Sequence, residues 1–132
     1  MRLLIYGFGP YKRFKDNITE KILRRLRAGK GVKKVVFPVR FLKRQFVETL
    51  KKYKPEVILG LGQTSRSKRL KIERRAVNQR RETRREKPRS IHPGGPQWLQ
   101  TSLRLNGGRQ AKTSHNAGDY VCNYSIYVIL DY

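Results

Sequence analysis

The chain has 132 residues, with 32 Lys and Arg against 9 Asp and Glu, a formal net charge of +23. Its length suits one domain with a modest core, and 37% hydrophobic with 10% aromatic residues rules out a wholly disordered basic tail. The charge argues against an ordinary soluble metabolic enzyme and predicts a polyanionic partner, nucleic acid before an anionic membrane surface.

In chain order, Leu3-Leu4-Ile5-Tyr6 is a short apolar run closed by Gly7 and Gly9, the pattern of a buried strand. Asn17 with Glu20 three positions on is a capping-box start. Ile18, Ile22, Leu23 and Leu26 follow at helical spacing until Gly29 and Gly31. Val35-Val36-Phe37 predicts a second strand. Phe41, Leu42, Phe46, Leu50 and Tyr53 predict an amphipathic helix ended by Pro55, with Lys43, Arg44, Lys51 and Lys52 on its other face. Val57 to Gly62 reads as a third strand with a glycine-rich exit, and Leu70 to Glu73 as a fourth, more exposed one. Residues 79–97 read as a basic loop or arm, and Tyr120 to Leu130 as a buried helix.

Strands alternating with helices predict an α/β fold. The expectation is a single three-layer domain over residues 1–132, its twisted, mostly parallel central sheet flanked by helices. In such sheets function collects at the carboxyl ends of the strands. With no run of 18 apolar residues, no membrane span is expected. The opening Met1–Pro10 is too short and too soon broken for a signal peptide, so it reads as mature structure. The single cysteine, Cys122, excludes a cysteine-cluster zinc site and suits a reducing, cytoplasmic compartment; no metal or cofactor is expected.

Cys122 is the main chemical candidate. It falls in the first turn of the last predicted helix, after a glycine-containing loop, where the helix dipole favours a thiolate nucleophile. Taken alone, the position also suits an inert buried cysteine. A nucleophilic thiol needs a base, and neither His92, in a Pro/Gly loop, nor His115, on the incoming strand, has a sequence reason to meet it. Glu73, taken alone, is a charge among arginines.

Three strings give these residues a context. Ser114-His115-Asn116-Ala117-Gly118-Asp119-Tyr120-Val121-Cys122-Asn123 resembles the cysteine motif of the pyroglutamyl peptidase type I family. Gly62-Gln63 with Ile72-Glu73-Arg74-Arg75-Ala76-Val77-Asn78 is similar to its glutamate motif, and Gly7-Phe8-Gly9-Pro10-Tyr11 with Asn17 and Thr19 to its opening. The resemblance implies an α/β fold, Cys122 as nucleophile, and Glu73 as the residue that orients or charges the catalytic histidine. It places Phe8, Pro10 and Tyr11 beside the pyroglutamyl pocket. It also implies a helix between about 100 and 112 that looks shortened to Asn106-Gly107-Gly108. Lys12-Arg13 replace the family's paired glycines, and Thr64-Ser65-Arg66-Ser67 replaces a glycine-rich turn. The family's histidine follows its cysteine at a greater distance than the ten residues from Cys122 to Tyr132. On that ground the expectation is loss of the activity, unless His115 or a histidine from a partner chain takes the missing place.

The charge then calls for its own function. Residues 65–90 carry 12 basic and 3 acidic residues, whereas residues 91–132 carry 3 and 2. Arg74-Arg75, Arg80-Arg81 and Arg84-Arg85 come as pairs, and arginine grips phosphate bidentately. If 79–87 is helical, the arginines cover one broad face; if extended, it threads between phosphates. The sequence expectation is therefore a structural RNA-binding protein, ribosomal or ribosome-associated, with rRNA as partner, ribosomal proteins possible, and no membrane. Its contacts would be Lys12, Arg13, Lys15, Arg24, Arg25, Arg66, Lys68, Arg69, Arg74, Arg75, Arg80, Arg81, Arg84, Arg85, Lys87 and Arg89. The alternative is a divergent pyroglutamyl cysteine peptidase that removes N-terminal pyroglutamate.

Overall fold

The computed structural model describes residues 1–11, 15–64 and 69–132. The described chain forms two compact units, Met1–Gln63 and Thr64–Tyr132.

The first unit is built on β1 (Leu3–Phe8), with β2 (Val32–Phe37) on one side and β3 (Val57–Gly60) on the other, all parallel. Leu3 sits opposite both Val32 and Val57. Parallel neighbours need long crossovers, and α1 (Ile18–Arg25) and α2 (Lys43–Tyr53) supply them. β1 is apolar throughout because it is the central strand, buried on both faces. Leu4, Ile5, Tyr6 and Phe8 meet Leu23 of α1, Phe37 of β2, and Phe46 and Leu50 of α2 in the core. Tyr6 packs edge-on to Phe37 at 5.5 Å, and Phe37 on Phe46 at 4.7 Å.

The predicted N-cap forms: Asn17 Oδ1 accepts the Thr19 N–H at 3.0 Å. Thr19 Oγ1 in turn accepts the Phe8 N–H at 2.8 Å, which ties the end of β1 to the first turn of α1. A Cβ on Gly7 would stand 2.7 Å from that hydroxyl, so this crossing admits only glycine. β2 begins three residues before the predicted Val35. Lys33 and Lys34 break the apolar run, yet both fit the strand. Lys33 Nζ lies 4.7 Å from the Tyr53 ring centre, and Lys34 Nζ caps the carbonyls of Leu23 and Leu26 at the end of α1.

The second unit pairs β4 (Leu70–Glu73) with β7 (Ala111–Ser114) in parallel, and β5 (Arg75–Val77) with β6 (Trp98–Gln100) antiparallel. A short 3-10 turn, Gly108–Gln110, leads into β7 where the resemblance implied a longer helix. α3 (Val121–Asp131) packs on β5 and β6 through Val121, Tyr124, Tyr127 and Val128 around a fully buried Ala76. It is apolar nearly all round, as the sequence predicts.

Residues 79–87 are not helical: Arg80 and Arg89 pair across an antiparallel bridge, and the chain between them turns back on itself. This is the expected α/β class with mostly parallel strands, which among the described residues form three separate sheets. Among the described residues no helix is long and apolar enough to cross a membrane.

Candidate active site

Both candidate catalytic residues lie in the second unit, Glu73 at the end of a parallel strand pair and Cys122 in the first turn of α3. Glu73 is the last residue of β4, opposite Ser114, the last of β7. The loop 115–120 runs from that point to Cys122. Gly118 has φ +85, a left-handed conformation that strains any side-chain-bearing residue, and its N–H donates to Asn116 Oδ1 at 2.8 Å. Cys122 is the second residue of α3 and half-buried. The N–H groups of a first helical turn lack intrahelical acceptors and favour negative charge beside them, which suits a thiolate.

The neighbour of the thiol explains why the motif carries Asn123. That side chain is fully buried. Its Oδ1 accepts the Val77 N–H at 2.8 Å, and its Nδ2 donates to Val77 O at 2.8 Å and Gln79 O at 3.1 Å. One amide thereby fixes the first turn of α3 to β5 and the residues after it. A second clamp acts on the approach: Arg81 donates its backbone N–H to Asp119 O at 2.9 Å and its Nε to Asp119 Oδ2 at 2.7 Å. Sequence reasoning assigned neither role; Asn123 was visible only as a motif letter.

Glu73 is half-buried, and its Oε2 is buried with no hydrogen-bond donor among the described residues. A buried carboxylate oxygen without a donor is costly. It is the kind of group an imidazole N–H would satisfy. His92 does not meet Cys122. Its Nδ1 lies 3.0 Å from Asp131 Oδ2, and its backbone is held by Asn78. Asp131 is nine residues beyond Cys122, about 13 Å along a helix axis. Burial, helped by the Asp131 carboxylate, pushes the Tyr127 hydroxyl above its ordinary value, and that hydroxyl donates to Pro96 O at 2.7 Å. Phe8, which the resemblance placed beside a substrate pocket, is a core residue of the first unit, whereas Pro10 is exposed and Tyr11 half-buried.

Several of the arginines expected to grip RNA have other work. Arg69 Nη2 donates to the carbonyls of Arg109 and Ala111, each at 3.1 Å. Arg74 donates to those of Leu103 and Leu105. Arg75 Nε donates to His115 O at 2.7 Å while its guanidinium lies over the Trp98 ring. Arg80 lies over the Tyr124 ring, Arg81 holds Asp119, and Arg24 pairs with Glu20. Lys15, Arg25, Arg84, Arg85, Lys87 and Arg89 are exposed; Lys12, Arg13, Arg66 and Lys68 lie outside the described residues.

Comparison with known proteins supports the cysteine motif rather than the charge. The model of the pyroglutamyl peptidase family matches residues 1–132. A pyrrolidone-carboxylate peptidase of Pyrococcus furiosus is 32% identical over 98% of this chain and 72% of its own length. One of Saccharolobus islandicus is 27% identical over the same shares. The crystal structure of pyrrolidone carboxyl peptidase from Thermus thermophilus superposes with a TM-score of 0.87 at 28% identity, covering 98% of this chain and 77% of that one. These matches overturn the expectation of an RNA-binding or ribosomal protein. The physical reason is that net charge says nothing about which fold or site carries it, and much of the arginine here caps carbonyls and pairs within the second unit.

Proposed function

Since the chain belongs to the pyroglutamyl peptidase family, we propose that it is a divergent cysteine peptidase that removes pyroglutamate from peptide N-termini. The family match over residues 1–132 supports treating the whole chain as one peptidase-like domain. Cys122 is the nucleophile. Its thiolate attacks the pyroglutamyl carbonyl, the peptide leaves as an amine, and water hydrolyses the resulting thioester. The amine leaves only when protonated, so an imidazole must take the thiol proton and pass it on. Glu73 Oε2 is the acceptor that would hold this imidazole; His92 is engaged by Asp131, so the candidate within the chain is His115, which follows Ser114 opposite Glu73. A peptidase that depends on a reduced thiol fits a reducing compartment, and we place the protein in the cytoplasm.

The observation that carries this reading is that the second unit holds both a half-buried cysteine in the first turn of α3 and, among the described residues, a buried carboxylate oxygen without a donor at the end of β4. The test is release of a fluorescent amine from pyroglutamyl-aminomethylcoumarin by the purified chain. Cys122→Ser should cost at least about a thousandfold in rate, since loss of a nucleophile leaves only binding and orientation. Glu73→Gln should cost less, with Cys122 alkylation by iodoacetamide slowed in parallel. Turnover no greater than that of the serine variant retires the reading.

A further inference from the structure

We propose that the basic loop between Arg80 and Arg89 selects substrates, favouring pyroglutamyl peptides whose next residues are acidic. The proposal rests on the peptidase reading. Two observations place the loop at the site. Its base is closed by the Arg80–Arg89 bridge, with backbone N–H to carbonyl bonds of 2.8 Å in both directions. From that base Arg81 grips Asp119, three residues before Cys122, and the chain entering the loop at Gln79 is bonded to Asn123, the residue after it. The loop and the nucleophile therefore share one hydrogen-bonded frame.

The loop has cations to spare. Among the described residues Arg84, Arg85, Lys87 and Arg89 are exposed and form no ion pair, unlike Arg69, Arg74, Arg75 and Arg81, whose side chains are bonded within the unit. Of the two acids in the loop, Glu86 is already used, its Oε2 accepting the Glu82 N–H at 3.2 Å. Four cations without an ion pair among the described residues remain on a loop whose base is bonded to Asp119 and Asn123, on either side of Cys122 in sequence. An extended peptide advances about 3.4 Å per residue, so two or three residues after a pyroglutamate held at Cys122 extend about 7–10 Å from it, and under the proposal they run toward the loop. Clustered charge of one sign raises the encounter rate and local concentration of oppositely charged ligands, in a salt-dependent way.

The test compares kcat/KM for pGlu-Glu-Glu-Ala and pGlu-Ala-Ala-Ala at 20 mM and 300 mM salt. At low salt the full chain should favour the acidic peptide about tenfold. Salt should shrink that ratio, and the combined variant Arg84→Gln, Arg85→Gln, Lys87→Gln and Arg89→Gln should bring it close to one. Lys43→Gln, Arg44→Gln, Lys51→Gln and Lys52→Gln together remove the same number of exposed cations from α2 and should leave the ratio intact. Equal rates for the two peptides, or equal loss in the α2 variant, overturns the loop's role and leaves the peptidase reading standing. A second readout is anisotropy of a labelled pGlu-Glu-Glu-Ala bound to Cys122→Ser. If no peptide is turned over but binding is seen and disappears with the loop cations, the loop is upheld as an acidic-peptide site and the peptidase reading fails. Absence of both turnover and loop-dependent binding overturns the two together.

Discussion

The two units are stabilised by different means. In Met1–Gln63 the core is a layer of large apolar side chains on a three-stranded parallel sheet, with Tyr6, Phe8, Phe37 and Phe46 in ring-to-ring contact. In Thr64–Tyr132 the strands are three or four residues long, the buried set includes Asn123 and Ser125, and side chains hold backbone groups across the unit. Short strands expose too many backbone polar groups for ladder pairing alone to satisfy, and arginine, asparagine and tyrosine fill the gap. The contrast teaches that the first unit resists loss of volume poorly and the second resists loss of a hydrogen bond poorly. It also places the candidate chemistry in the unit whose geometry is fixed by directional bonds.

Substitutions can break or sharpen this contrast. The largest effect is expected from Phe46→Ala, which leaves a cavity against Phe37 and should cost about 3–5 kcal/mol in urea denaturation. Hydrogen exchange should accelerate in β1 and α2; equal acceleration in β5 and α3 would break the distinction. Next comes Asn123→Ala. It strands the Val77 N–H and two carbonyls and should cost about 2–3 kcal/mol, with exchange accelerating in β5 and α3. Thiol reactivity of Cys122 should shift with it, since the amide fixes the turn that carries the thiol.

Tyr127→Phe should cost about 1 kcal/mol for the lost bond to Pro96 O, and it has a pH signature. The folded state holds the Tyr127 proton more tightly than the unfolded chain does. Its contribution is therefore complete below about pH 10, the ordinary tyrosine value, and is lost as pH rises through the raised value. The stability difference between wild type and Tyr127→Phe should shrink in that alkaline window and stay flat below it. Smallest of all, Arg24→Ala removes an exposed pair with Glu20 one turn away and should change stability by about 0.5 kcal/mol or less. A larger loss would mean that surface charge matters to the first unit more than its core implies.

The sequence made the first unit legible because its signals are local. An apolar run, an asparagine cap and helical spacing each need only a few neighbouring residues, and β1, α1, α2 and β3 follow from them. α3 and the cysteine motif were legible for the same reason. β5 and β6 were not: three residues each, about twenty positions apart, they carry no periodicity and exist because Arg75–Val77 finds Trp98–Gln100. The clamps of Asn123, Arg74 and Arg81 also join residues far apart in sequence. Read without those partners, the arginines looked like spare charge and pointed to RNA. A local pattern can count cations; only the folded unit shows which of them already have carbonyls or carboxylates to hold.

The Arg80–Arg89 rung gives the second unit an evolutionary property as well. Because the rung closes the base and Arg81 anchors it, the stretch from 82 to 88 can vary in length and composition with little strain on β5 or α3. It is an exchangeable cassette. Changes within it leave the bonds at 80, 81, 89 and 123, which fix the start of α3, untouched.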